Sequence, residues 1–231
     1  MLPPPVPVGT HVVCTGAADG DLGRSAPPEE LAARRARIAA GAWTWLDQVH
    51  GADVVVVEHP GDRCGAPADA AVTREPGAVL CVLTADCAGV ALWSDEGVVG
   101  VAHAGWRGLA AGVLQACVDA MRSLGADRIG WRLGPCISPA ANEFSPEDLD
   151  PLVERFGPSV RSRTTEGRPA LDLRAGVGVA LSECGLEVPE GALDVPCTTV
   201  GDDWYSWRAR RDSARQATVV WRDPAAGRSA P

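Results

Sequence analysis

Four short runs, residues 54–57, 78–83, 90–93 and 98–102, contain only apolar residues and glycine. A strand with one face in water alternates polar and apolar side chains. An unbroken Val-rich run describes a strand covered on both faces. A sheet made of such strands needs further layers on each side, which points to an α/β chain with helices outside its sheets. The helical covers are legible too. Residues 28–40 begin with Glu29 and Glu30 and stop at Gly41, the acidic start and glycine end expected of a helix. After Gly108, Leu109, Val113, Leu114, Cys117, Val118, Met121 and Leu124 recur at helical spacing up to Gly125. Ser145-Pro146 starts a helix to Phe156, and Asp172 caps another over 173–184. Residues 129–133 and 217–221 supply further strands. Strands and helices lack a regular βαβ alternation, and no G-x-G-x-x-G follows a strand, so a doubly wound nucleotide-cofactor domain is unsupported. The expectation is one α/β domain over 1–231 with mixed sheets flanked by helices, its ends at 1–9 and 224–231 flexible.

Three residues stand where these runs give way to glycine-bearing turns. They are His50 in Asp-Gln-Val-His-Gly, Cys87 in Thr-Ala-Asp-Cys, and His103 in His-Ala-Gly-Trp-Arg-Gly. Ends of buried strands are where a scaffold displays side chains for chemistry. Two imidazoles and a thiolate suit Zn²⁺ with a fourth position open to water or substrate. The separations of 37 and 16 residues are unlike compact zinc-finger spacing and fit a site assembled from several strand ends. The same three residues equally suit a Cys/His hydrolase with Cys87 as nucleophile and a histidine as base. A binding protein with a vestigial site is a third class. His11 and His59 lack such a setting, and Cys81 reads as core packing. Arg107, at the helix start beside His103, is placed to bind phosphate or carboxylate with its planar fork.

The net charge of −9 disfavours nucleic acid or an anionic membrane as partner. A local exception would be the basic stretch of Arg208, Arg210, Arg211 and Arg215. All 21 basic residues are Arg, which excludes Schiff-base and P-loop lysines. The eight Cys form no Cys-x-x-Cys pair, no secretory signal is visible, and no apolar stretch reaches the ~20 residues that span a bilayer. A reduced, cytoplasmic protein with mostly core cysteines is expected.

The segments Gln48-Val-His-Gly, Ala68-Asp-Ala-Ala-Val-Thr, Thr84-Ala-Asp-Cys, His103-Ala-Gly-Trp-Arg-Gly, Gly134-Pro-Cys-Ile and Cys197-Thr resemble, in order, those of the laccase-domain family. That family is also called YfiH-like, polyphenol oxidase or multi-specific purine nucleoside phosphorylase. The resemblance covers residues 40 to 221. It implies a single domain similar to the catalytic domain of cytotoxic necrotizing factor toxins, with one Zn²⁺ on His50, Cys87 and His103. The implied activity is phosphorolysis of adenosine, inosine, guanosine and methylthioadenosine, with adenosine deamination. Purine nucleosides and phosphate are then the partners; Arg107 and Arg208 are assigned to phosphate or substrate, Asp86 to orienting a ligand or the ribose, and Gln48 to contacting the base. Older members were described as copper-dependent phenol oxidases, and peptidoglycan editing has been proposed for relatives. Multicopper oxidation needs several metal centres, and four His are too few to build them. The chain departs from the family pattern at Cys14-Thr-Gly-Ala-Ala-Asp-Gly-Asp, where many members carry Arg and Gly-Gly-Val-Ser. It also departs at Gly89, at Asn142-Glu143-Phe144, at Arg208-Ala209-Arg210 and at Ala214-Arg215.

Overall fold

The computed structural model describes residues 4–224. In chain order the elements are β1 (Thr10–Cys14), α1 (Pro28–Ile38), β2 (Ala42–Trp45), β3 (Val54–Val57), β4 (Ala70–Thr73), β5 (Ala78–Thr84) and β6 (Ala88–Ser94). They continue with β7 (Val99–Ala104), α2 (Trp106–Ala111), α3 (Val113–Ser123), β8 (Ile129–Leu133), α4 (Pro146–Phe156), β9 (Arg161–Arg163) and β10 (Pro169–Leu171). The last are α5 (Leu173–Glu183), α6 (Trp207–Arg210) and β11 (Gln216–Arg222). Two mixed sheets dominate, one ordered β1-β11-β5-β2 and the other β3-β4-β7-β6-β8. In each, one edge strand runs parallel to its neighbour (β2 to β5, β3 to β4) and the other pairs are antiparallel.

Three of the four apolar runs are buried on both faces, because the two sheets pack on each other and helices cover their outer sides. The run 54–57 is not, since it forms the edge strand β3, in which Val57 is buried and Val56 is exposed. In β5, Leu80 and Val82 face the space between the sheets, while Val79 and Cys81 face outward to Leu31 and Ile38 of α1. In β6, Ala91 and Trp93 join the inter-sheet core, while Val90 and Leu92 join the core under α3 and α5. The period of two in strand geometry thus divides each run between two cores.

Helix ends follow the local chemistry. Ser145 accepts the Asp148 N–H at 3.2 Å and Asp172 accepts that of Ala175 at 3.0 Å, so both caps fall where the sequence places them. The helix expected after Gly108 starts earlier, at Trp106, and breaks at Gly112, whose φ of 92° lies in the left-handed region that glycine tolerates. The break separates a six-residue α2, which carries Arg107, from the amphipathic α3. Of the ends expected to be flexible, residues 1–3 and 225–231 lie outside the described residues. Pro4 is buried, and its carbonyl accepts the Trp93 indole N–H at 3.1 Å. Cys81, Cys117, Cys136 and Cys184 are buried, whereas Cys64 is exposed and Cys14, Cys87 and Cys197 are intermediate.

Candidate metal centre

β4, β7 and β6 lie side by side, and this order assembles the site. Register pairs Gly89 with His103, so Cys87, just ahead of β6, sits across the ladder from the far end of β7. On the other side of β7, Ala70 pairs with Ala102, which puts Asp69 beside His103. The His103 N–H donates to the Asp69 carbonyl at 2.7 Å. The loop from β2 to β3 then brings in His50. The ligand atoms of His50, Cys87 and His103 all lie within 4.8 Å of one another, and His50 Nε2 is 3.9 Å from Cys87 Sγ. The three are graded in depth: His103 is buried, Cys87 intermediate and His50 exposed at the mouth.

Asp69 is the residue that sequence reasoning misses. It is fully buried, and its Oδ1 lies 2.7 Å from His103 Nδ1. The same carboxylate accepts the backbone N–H groups of Val49 (3.1 Å), His50 (3.0 Å) and Gly51 (2.7 Å). Those three bonds hold His50 at a φ of 60°, a left-handed conformation uncommon outside glycine. One carboxylate therefore orients the ring of one histidine and the backbone of the other. A carboxylate behind a ligating imidazole fixes its tautomer and ring plane. Here it leaves Nε2 of His103 to face Cys87.

Electrostatics agree with the geometry. Burial opposes ionisation of the Cys87 thiol, but the hydrogen bonds and charges of His103 and His50 prevail and bring its pKa down to about 6. Burial likewise opposes a charged His103, but Asp69 and Cys87 outweigh it and raise its pKa to about 9. Asp69 is held below the ordinary carboxylate range, its desolvation overcome by His103 and the backbone donors. By contrast, burial pushes the core thiols of Cys81, Cys117 and Cys136 up to about 12. Burial also opposes ionisation of Cys197, but hydrogen bonds from Ser138 and Thr199 outweigh it and lower its pKa, so Cys87 and Cys197 stand apart from the inert core thiols.

The donor set fits a tetrahedral ion. Zn–S and Zn–N bonds of ordinary length would place such ligand atoms about 3.3–3.6 Å apart. Here His50 Nε2 and Cys87 Sγ are 3.9 Å apart and all three atoms lie within 4.8 Å, so the side chains would close in on an ion. The backbone leaves room for it at Gly105, whose φ of −65° is open to any residue. A Cβ there would stand 2.8 Å from His50 Cδ2 and 3.2 Å from Cys87 Sγ. Glycine is required for space. Gly105→Ala is accordingly expected to keep its fold, lose bound metal and lower turnover by about 100-fold, the effect of a 1 Å misplacement at a reacting centre. Metal content and circular dichroism of the purified variant check this together.

The three ligands open into a cavity of about 770 Å³ that also touches Gln48, Arg24, Arg107 and Arg215. Arg107 lies over the Trp106 ring at 4.2 Å, and among the described residues no carboxylate pairs with it. Gln48 is committed to the main chain: its Nε2 donates to the Leu83 carbonyl and its Oε1 accepts the Leu83 N–H, both at 2.8 Å. Asp86 is buried at a φ of 96°, and its oxygens accept from Thr198 Oγ1, Ser206 Oγ and the Arg208 N–H at 2.6–2.7 Å. It ties the segment from 198 to 208 to the turn that carries Cys87. Arg208 donates to the Glu143 carbonyl and to Asn142 Oδ1. Arg210 pairs with Asp212, Arg211 lies over Trp207, and Arg215 donates to the carbonyls of residues 212–214. The C-terminal arginines therefore brace this segment instead of forming one open basic face. His11 stacks on Trp221 and bonds Asp223, remote from the site.

A two-sheet α/β domain with a His-Cys-His cluster at its strand ends defines a narrow class. Residues 24–223 match the family described as multi-copper polyphenol oxidoreductase laccase, and the chain belongs to that laccase-like family. It is 42% identical to "Purine nucleoside phosphorylase SCO2081" of Streptomyces coelicolor, covering 90% of this chain and 86% of that protein. It is 35% identical to "Purine nucleoside phosphorylase Rv2149c" of Mycobacterium tuberculosis, over 84% and 80% of the two chains. Among solved structures, Neisseria meningitidis NMB0706 superposes with a TM-score of 0.81 at 25% identity, covering 96% of this chain and 98% of that one. YlmD of Geobacillus stearothermophilus gives 0.79 at 25%, over 95% and 94%. Both expectations, the mixed α/β fold and the family, hold.

Proposed function

We propose that this chain is a zinc-dependent purine nucleoside phosphorylase that takes adenosine, inosine, guanosine and methylthioadenosine and also deaminates adenosine. The observation that carries the reading is a cavity with arginines on its rim, opening directly on the His50–Cys87–His103 cluster, in a chain of net charge −9. Local cations in an acidic protein suit an anionic co-substrate, and the relatives' names point to phosphate. Two imidazoles and a soft thiolate favour zinc. When bound, zinc would supply a Lewis acid with one open coordination position. Mixed His/Cys ligand sets of this kind also serve zinc deaminases.

The chain's own residues would then act as follows. Arg107, preorganised by Trp106, holds phosphate in the cavity, and Arg24 and Arg215, already bonded to Asp47 and to the carbonyls of residues 212–214, add positive charge at its edge. Asp69 keeps the His103 ring fixed and its Nδ1 proton in place, so that only Nε2 faces the centre. An oxygen of monohydrogen phosphate forms a bond to C1′ of the ribose as the C1′–N9 bond breaks, and the proton of the phosphate ends on the departing base. The products are ribose 1-phosphate and the free base. Four His cannot furnish the several centres of a multicopper oxidase, which argues against that reading despite the family's description. Eight free thiols suit a cytoplasmic site of action, and no described helix is long and apolar enough to cross a membrane.

A metal-free thiol hydrolase or amidase, possible in peptidoglycan precursor editing, is favoured by the Asp69–His103–Cys87 alignment, which matches the order base-orienter, base and nucleophile. Such a triad leaves His50 without a task, although Asp69 fixes it against an unfavourable φ. Incubating adenosine with and without phosphate, followed by chromatography, separates the readings. Phosphorolysis gives adenine only when phosphate is present, and deamination gives inosine in either case. Formation of neither product by zinc-loaded protein contradicts the proposal.

A further inference from the structure

Cys87 borders two cavities. On its other side from the arginine-rimmed one lies a smaller chamber of about 150 Å³. Ala85, Cys87 and Trp207 line both, so the two meet along the edge of the proposed metal site. The chamber has a different chemistry from its neighbour. Trp106 and Phe144 meet edge to face in its wall, with ring centroids 5.7 Å apart at 81°. Ile137, Leu171 and Leu173 line it further and are buried. Its polar groups are few. Asn142, 4% exposed, is oriented by donating from Nδ2 to the Leu171 carbonyl at 3.0 Å. Its Oδ1 then has only a long 3.4 Å contact from Arg208.

We propose that this chamber is the nucleobase subsite, holding a purine against Trp106, Phe144 and Trp207, with the polar edge of the base toward Asn142 and Arg208. The inference rests on the nucleoside reading above and deepens it. A flat heteroaromatic base has apolar faces and a hydrogen-bonding edge, and this lining offers a partner for each. The division of labour follows from the shared wall. With the base in the chamber and phosphate among the arginines, the glycosidic carbon lies at the junction beside Cys87. Gln48, whose amide is already committed to Leu83, is not needed for the base. Trp207, 47% exposed, stands between the two cavities on a segment tied down by Asp86 and forms their shared outer wall.

The test uses the full-length protein and two variants, Phe144→Ala and Trp207→Ala, each checked for fold by circular dichroism. Trp207 is half exposed, so its truncation guards against a result due only to lost packing at Phe144. Binding of free adenine is measured by calorimetry, which needs no turnover. KM for adenosine and for phosphate is measured alongside. The expected result is an adenine Kd and an adenosine KM about tenfold higher in each variant, the loss of one base–aromatic stack, with KM for phosphate within about twofold of wild type. Unchanged adenine affinity in both folded variants overturns the subsite, as does a wild type that binds no adenine at millimolar concentration. A wild type that binds adenine through these residues yet cleaves no nucleoside upholds the subsite and refutes the phosphorylase reading, so the two failures are distinct.

Discussion

Cys87→Ser is expected to abolish stoichiometric metal binding and, with it, activity, while leaving the fold intact. The side chain is intermediate in exposure and stands at the turn before β6, so replacing sulfur by oxygen removes little packing. Its chemical contribution is large. The two histidines that bring its pKa down to about 6 make it the ready thiolate of the cluster, and a serine hydroxyl stays neutral in the same place. Loss of one of three protein ligands exceeds the roughly 10–100-fold cost of removing a hydrogen-bond partner behind a ligand. Metal analysis and circular dichroism of the variant, set beside Cys81→Ser as a core control, check the outcome. Cys81 is buried in the outer core of its sheet, so its substitution is expected to lower stability without touching metal content.

Asp69→Ala is expected to damage both stability and the site. It leaves the N–H groups of Val49, His50 and Gly51 and the ring of His103 without their acceptor. Removing one member of a buried, hydrogen-bonded charge pair costs about 3–5 kcal/mol. At about 2–4 °C per kcal/mol for chains of this size, Tm falls by roughly 10 °C. Asp69→Asn keeps the volume and one acceptor oxygen but directs an amide N–H₂ at donors. It is expected to fold, to lose about 10–100-fold in metal affinity through misoriented imidazoles, and to show a smaller fall in Tm. Thermal melts and competitive zinc titration of both variants measure the two effects separately. Equal metal affinity in wild type and Asp69→Asn would show that the carboxylate supports the fold alone.

The three residues that the fold brings together are legible in the sequence and Asp69, which organises them, is not, for a physical reason. His50, Cys87 and His103 each end an apolar run at a glycine-bearing turn, a pattern local enough to see in the chain. A buried Asp looks the same in sequence as an exposed one, because burial is a property of the neighbours that strand pairing supplies. The available signal was Asp69 standing just ahead of Ala-Ala-Val-Thr, where a charged residue abuts a segment that becomes fully buried β4. That strand, built from small residues, gave no periodic signal either. β1 and β2 were missed for a similar reason, being short and defined by their ladders to β11 and β5. The capped helices α4 and α5 were readable because Ser145, Pro146 and Asp172 act within a turn of where they stand. Asp86 was seen as polar and near the site, but its bonds to residues 198–208 span more than 110 positions and lie beyond any local pattern.

The central claim is that a single carboxylate-organised His-Cys-His site holds one metal ion. It is tested most directly by metal analysis of wild-type protein purified without added metal, by emission spectrometry against protein concentration. About one zinc per chain is expected, lost on exhaustive chelation together with phosphorolysis of adenosine and regained with it when zinc is returned. Undiminished turnover in protein stripped of all metal would contradict it and leave Cys87 acting as a nucleophile.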